Sequence, residues 1–152
     1  MGIDPSNFLF ETAVRFVNQT NRHLFVTGKA GTGKTTFLKF IKETGYKNMA
    51  IVAPTGVAAI NAGGVTMHSF FQLPFGPYIP KHRTGWNENI QVTDRHSLFK
   101  NIRFSADKRE LLRELELLVI DEVSMLRADM LDAVDLILRH FRMQPNMPFG
   151  GV

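Results

Sequence analysis

At 152 residues the chain is long enough for one domain with a proper core and small for a motor enzyme. It has no cysteine, which excludes disulfides and cysteine-ligated metals, and it shows no signal peptide or membrane-length apolar run; an intracellular, cytoplasmic protein that does not enter a membrane is expected. A net charge of +4 and a pI near 9.6 suit an anionic partner without requiring one.

Ser6-Asn7 is placed to cap a first helix running to about residue 18, with Phe10, Val14 and Val17 on one face. Leu24-Phe25-Val26 then reads as a short buried strand. Directly after it come Gly28, Lys29, Ala30, Gly31, Thr32, Gly33, Lys34, Thr35 and Thr36, a G-x-x-x-x-G-K-[ST] pattern between a strand and a helix. These nine residues are the candidate nucleoside triphosphate site. Backbone without Cβ turns tightly enough to aim consecutive N–H groups into one concavity, and a helix starting there adds its own unpaired N–H groups. Lys34 is expected to reach the β- and γ-phosphates, and the Thr35 hydroxyl to sit on Mg²⁺. A glycine-rich turn could match the pattern by chance; the strand and helix flanks argue against that.

Phe37, Phe40 and Ile41 form the stripe of the next helix, with Gly45 placed to close it at C′. MAIVA, residues 49–53, is a continuous apolar run, expected as a strand covered on both faces and joined to the first by a right-handed parallel crossover. Pro54-Thr55-Gly56 ends it, a small-residue helix follows over 57–62, and VTMHSFF occupies 65–71. From about 74 to 105 prolines and glycines break the pattern, which reads as a loop-rich insertion containing the lone Trp86. Residues 106–115 form an amphipathic helix with Leu111, Leu112 and Leu115 facing in, and 117–120 a fully apolar strand. A last helix over about 128–143 carries Leu131, Val134, Leu138 and Phe141 as its stripe.

The apolar strand delivers Asp121 and Glu122 at its carboxyl end, on opposite sides. Asp121 is expected to hold Mg²⁺ through a water, and Glu122 to orient and deprotonate the attacking water. Both acids and the glycine loop belong at the carboxyl ends of parallel strands, where ligands bind in such sheets. The fold class expected is α/β, a three-layer P-loop NTPase with a parallel sheet. ATP hydrolysis is the expected reaction.

Three stretches together resemble one family. TGKAGTGKTT (27–36), APTGVAAINAGGVTMHSFF (53–71) and LLVIDEVSML (117–126) look like motifs I, Ia and II of the Pif-type DNA helicases of superfamily 1B. The middle stretch is the specific one, since many unrelated ATPases share the other two. The resemblance implies a RecA-like domain using ATP and Mg²⁺, with Lys34 and Glu122 as catalytic residues, in a protein that moves 5′ to 3′ on single-stranded DNA and works at forks or duplex junctions. It further implies that Pro54, Thr55 and Gly56 line the single-strand track with His68, Ser69 and Phe70 nearby. It places a small strand-separating wedge at about 74–105, where Lys81, Arg83, Arg95, Lys100 and Arg103 could hold a DNA backbone, and it implies a monomer at full length.

Two departures stand out. The adenine-reading Gln of the family is replaced by Phe10-Glu11, with Gln19 too close to the loop. The chain also ends at Phe149-Gly150-Gly151-Val152, where the family continues into a central strand and a second RecA-like domain, so an N-terminal fragment is expected. Such a fragment would leave two apolar strand edges unpaired. The alternatives are another P-loop ATPase of DNA metabolism, such as a loader or transposition ATPase, and a nucleotide-binding module that never hydrolyses ATP.

Overall fold

Three parallel strands carry the structure, in the order β2-β1-β3, with β1 at Met49–Ala53, β2 at Val65–Thr66 and β3 at Leu117–Ile120. The structure, a computed structural model, describes residues 8–80 and 92–152. The Ser6-Asn7 cap and Lys81, Arg83 and Trp86 lie outside the described residues. Seven described helices surround the sheet: α1 Phe8–Gln19, α2 Lys34–Thr44, α3 Gly56–Ala62, α4 Met67–Phe71, α5 Arg95–Asn101, α6 Ala106–Glu114 and α7 Ala128–Phe141. No described helix is long and apolar enough to cross a membrane.

The alternation of β1 explains the layers, because successive side chains of a strand point to opposite faces. Ala50 and Val52 face the larger core with Met67, Phe71, Leu112, Leu115, Val134, Ile137 and Leu138, and Leu118 and Ile120 of β3 join them. Ile51 faces the other way, against Leu38 of α2 and Ala62 of α3, with Met49 and Val119 alongside. A parallel sheet covered on both faces has no use for a polar face, which is why its strands are unbroken apolar runs. Each large side chain buried in the bigger core contributes roughly 2 kcal/mol, so that core carries most of the weight.

Helix α7 presents Ala133, Val134, Ile137 and Leu138 to that core, while Leu131 and Phe141 of the expected stripe are only half buried. Its last turn is tied down by Arg142. That guanidinium donates to the carbonyls of Leu112 (2.8 Å), Arg113 (2.8 Å) and Leu115 (2.6 Å) at the end of α6, and to Gly150 (2.8 Å). One side chain thus satisfies the unpaired carbonyls of one helix end and anchors the following turn.

Four expectations are corrected. Leu24–Val26 is not a strand: all three residues are exposed and no described strand lies beside them to complete a ladder. In α2 the buried pair is Leu38 and Ile41; Phe37 and Phe40 instead receive the Phe10 ring of α1 edge-on, at 5.5 and 5.4 Å. Gly45 closes α2 in an extended conformation (φ −69°), bonding its N–H to Ile41 O. Leu111 points outward, 45% exposed, while Leu112 and Leu115 are buried. The 74–105 region also holds α5, started by a capping box in which Asp94 and Ser97 bond each other's backbone N–H.

Candidate nucleotide site and nucleic-acid interface

The phosphate loop has the backbone its glycines allow. Gly31 (φ 79°) and Gly33 (φ 92°) lie in the left-handed region, and Gly33 starts α2 without any side-chain cap. The first N–H groups of α2 therefore open toward the loop. Lys34 folds back across it, its ammonium donating to Gly28 O (2.7 Å) and Lys29 O (2.9 Å). Thr32 closes the turn by donating its hydroxyl to Lys29 O at 2.8 Å. Residues 28–32 and 34–36 are exposed. A phosphate offers the Lys34 donors a charged acceptor in place of neutral carbonyls, so the exchange is favourable.

The short link from Gly45 to β1 turns α2 antiparallel to the strand it covers. The start of α2 therefore lies on the carboxyl side of the sheet, where β3 delivers Asp121 and Glu122. Asp121 N donates to Val52 O at 2.9 Å, which carries the β1–β3 ladder one residue past the strand. One Asp121 carboxylate oxygen accepts the Glu122 N–H (3.0 Å). Glu122 itself is exposed and holds a left-handed backbone (φ 52°), an unusual state for a residue with a Cβ and one that recurs at active sites. The turn at Val123–Met125 then leads on toward α7.

On the other side of β1 the register brings the motif between residues 53 and 71 together. Ala53 pairs with Thr66, so Pro54-Thr55-Gly56 and Met67-His68 leave the sheet side by side. Gly64 makes this approach possible: a Cβ there would press into the Ile51 carbonyl oxygen. Thr55 caps α3 by accepting from Ala58 N (3.2 Å), and Thr66 caps α4 by accepting from Ser69 N (3.2 Å). Gly56 and Ser69 are exposed, and Pro54, Thr55 and His68 half buried.

Phe70 belongs to the core. It is 8% exposed, packs edge-on against Phe71 at 4.8 Å, and carries the Lys108 ammonium 3.1 Å from its ring centre. Burial pulls the Lys108 amine down to about 8, while the ring face favours its charged form. The freely exposed ring of this neighbourhood is Phe75, stacked on His68 at 5.4 Å and 15°. Sequence reading passed over it inside the proline-rich stretch Leu73-Pro74-Phe75-Gly76-Pro77, although an aromatic between two prolines is itself a signal. It also missed Arg127 and Asp129. These pair at 2.7 and 2.9 Å, and Asp129 accepts the Tyr78 N–H at 2.8 Å. The Arg127 hydrogen bond holds the Asp129 carboxyl down to about 2.

A parallel sheet with a glycine-rich phosphate loop and an Asp-Glu strand end defines a RecA-like P-loop nucleotide-binding domain. Comparison with known proteins narrows it further. A sequence model of the PIF1-like helicase family matches residues 7–152, and the chain belongs to that family. It is 34% identical over 139 residues to the ATP-dependent DNA helicase PIF1 of Saccharomyces cerevisiae, covering 88% of this chain and 14% of that protein. A Bacteroides Pif1 helicase solved with ADP-AlF3 and ssDNA superposes with a TM-score of 0.79 at 44% identity, over 100% of this chain and 31% of that one. A structure of two coordinating Pif1 helicases at forked dsDNA gives 0.80 at 45% identity, over 100% and 32%. The chain spans less than a third of the length of these relatives.

Proposed function

We propose that this chain is the first motor domain of an ATP-dependent DNA helicase that moves 5′ to 3′ on single-stranded DNA and opens forks or duplex junctions. The observation that supports the reading is topological: α2 starts, and β1 and β3 end, toward the carboxyl side of one parallel sheet, so the Lys34 loop, Asp121–Glu122 and the 54–56 turn are all on that side. The similar proteins solved with a nucleotide analogue and ssDNA, and at forked dsDNA, support both ligands.

In this reading the loop N–H groups and Lys34 bind the phosphates of ATP. Magnesium fits an all-oxygen set of this kind, since it takes one or two protein oxygens and fills the rest with phosphate and water. Thr35 and Asp121 would hold it, and it would neutralise charge developing on the phosphates. Glu122, turned out by its left-handed backbone, orients the attacking water and takes its proton. Pro54, Thr55, Gly56, His68 and Ser69 line the single strand, with amides and hydroxyls for phosphates and no base-edge readout. The wedge assigned to 74–105 offers Arg95, Lys100 and Arg103 to the duplex backbone.

The test is DNA-stimulated ATP hydrolysis by this chain and by a version extended through the region that follows it in its longer relatives. Each is compared with Glu122→Gln. Hydrolysis by the extended protein should fall at least about a hundredfold in the variant, the usual weight of a general base. Unchanged hydrolysis in that variant would remove Glu122 from the mechanism. Robust unwinding by the 152-residue chain alone would overturn its assignment as one part of a motor.

A further inference from the structure

We propose that Phe75, backed by His68, is a stacking platform for one base of the single strand that crosses the carboxyl edge. The proposal rests on the nucleic-acid reading above and adds to it a residue outside the 53–71 motif.

A single exposed apolar side chain is ordinary. Phe75 differs in how firmly the chain around it is held while the ring itself stays out, 92% exposed. On its amino side Leu73 is 6% exposed and donates its N–H to His68 O at 3.1 Å. Gln72 clasps Arg103 with both ends of its amide, accepting from N at 2.6 Å and donating to O at 3.3 Å. On its carboxyl side Tyr78 is 5% exposed, with its N–H on Asp129. Pro77 O and Ile79 N both bond to Thr93, at 2.9 and 2.8 Å. A segment pinned on both sides of one ring, with prolines at 74 and 77, has lost its conformational freedom before any ligand arrives.

The orientation fits the role. The Phe75 and His68 rings are nearly parallel, an offset stack whose outer face lies open to solvent. The Ala53–Thr66 register makes Thr55 and His68 each the second residue past one strand pair, so a strand whose phosphates meet Thr55 and Gly56 would run near the His68–Phe75 stack. Any base has a π face, so the contact grips without selecting sequence. Asp129 is the positioning residue. It holds the Tyr78 amide and Arg127 from the first turn of α7.

The experiment uses the 152-residue chain and two fluorescent probes of equal length, oligo-dT and an abasic oligomer, read by anisotropy. Phe75→Ala should weaken oligo-dT binding roughly tenfold, the loss of one base–aromatic stack. It should leave abasic binding, ADP binding and Tm unchanged. Phe75→Trp should restore oligo-dT affinity. If wild type binds oligo-dT and Phe75→Ala binds it equally well, or if Phe75→Ala weakens both oligomers alike, the platform is overturned while the interface stands. If wild type binds neither oligomer, the nucleic-acid reading of this chain fails and the platform with it.

Discussion

The two flanks of the sheet are built in opposite ways. Between Pro54 and Ile79 nearly every turn is capped, packed or bonded to a distant element, and the exposed groups stand on a fixed frame. Between Asn21 and Thr32 every residue is exposed, and the loop is shaped mainly by Lys34 and Thr32 bonding to its own carbonyls. Local bonds of that kind set a shape without tying it to a core. The 54–79 side is therefore held by contacts to distant elements, whereas the loop side is held by its own bonds.

Substitutions on the two flanks should differ accordingly, and the largest effect belongs at Gly64. A branched side chain there must push β2 off the Ile51 carbonyl, with backbone rather than a flexible side chain as the obstacle. Gly64→Val should cost about 3 kcal/mol or more by chemical denaturation. A loss under about 1 kcal/mol would mean that β2 is not seated as described.

Legibility in the sequence divides along the same line. β1 and β3 are readable to within a residue because both faces of each are covered, so their apolar runs have no competing interpretation. Helix α6 is readable from its leucine spacing, but not the outward turn of Leu111, since a stripe of three leucines does not say which one meets α7. Leu24–Val26 has the composition of a strand, yet strand formation is a property of a pair, and no described partner stands beside it. Phe70 and Phe75 are equally aromatic on paper. Only packing decides that Lys108 covers one and that solvent meets the other. The Asp94–Ser97 cap of α5 is passed over in the sequence because the stretch opens with three prolines, at 74, 77 and 80, and reads as loop throughout.

A smaller, pH-dependent effect should appear at Asp129, which fixes the Tyr78 end of the pinned loop. Its carboxyl lies lower in the folded chain (about 2) than in the unfolded chain (3.8), chiefly through the Arg127 hydrogen bond. The folded state therefore binds fewer protons. The stabilisation is complete above the unfolded value and is lost as pH falls through about 2. Wild type should lose a further roughly 2–4 °C in Tm relative to Asp129→Asn over that acid window, a modest figure because Arg127 is half exposed and water screens the pair. Parallel pH profiles for the two proteins would show that the pair carries no stability.

The smallest effect is expected where the sequence looks most like core. Phe25 sits in an apolar triplet, yet it is 73% exposed, so Phe25→Ser removes little buried surface from this chain. The change should stay within about 0.5 kcal/mol, the range of surface substitutions. Leu138 is the contrast: it is fully buried between α7 and the sheet, and its truncation to Ala should cost several times more, about 2–5 kcal/mol. The ratio of the two, measured under one set of conditions, sharpens the contrast between the flanks better than either value. A Phe25→Ser loss approaching that of Leu138→Ala would mean that residues 24–26 pack as a strand in solution, and the phosphate loop would then be anchored from a core instead of by its own hydrogen bonds.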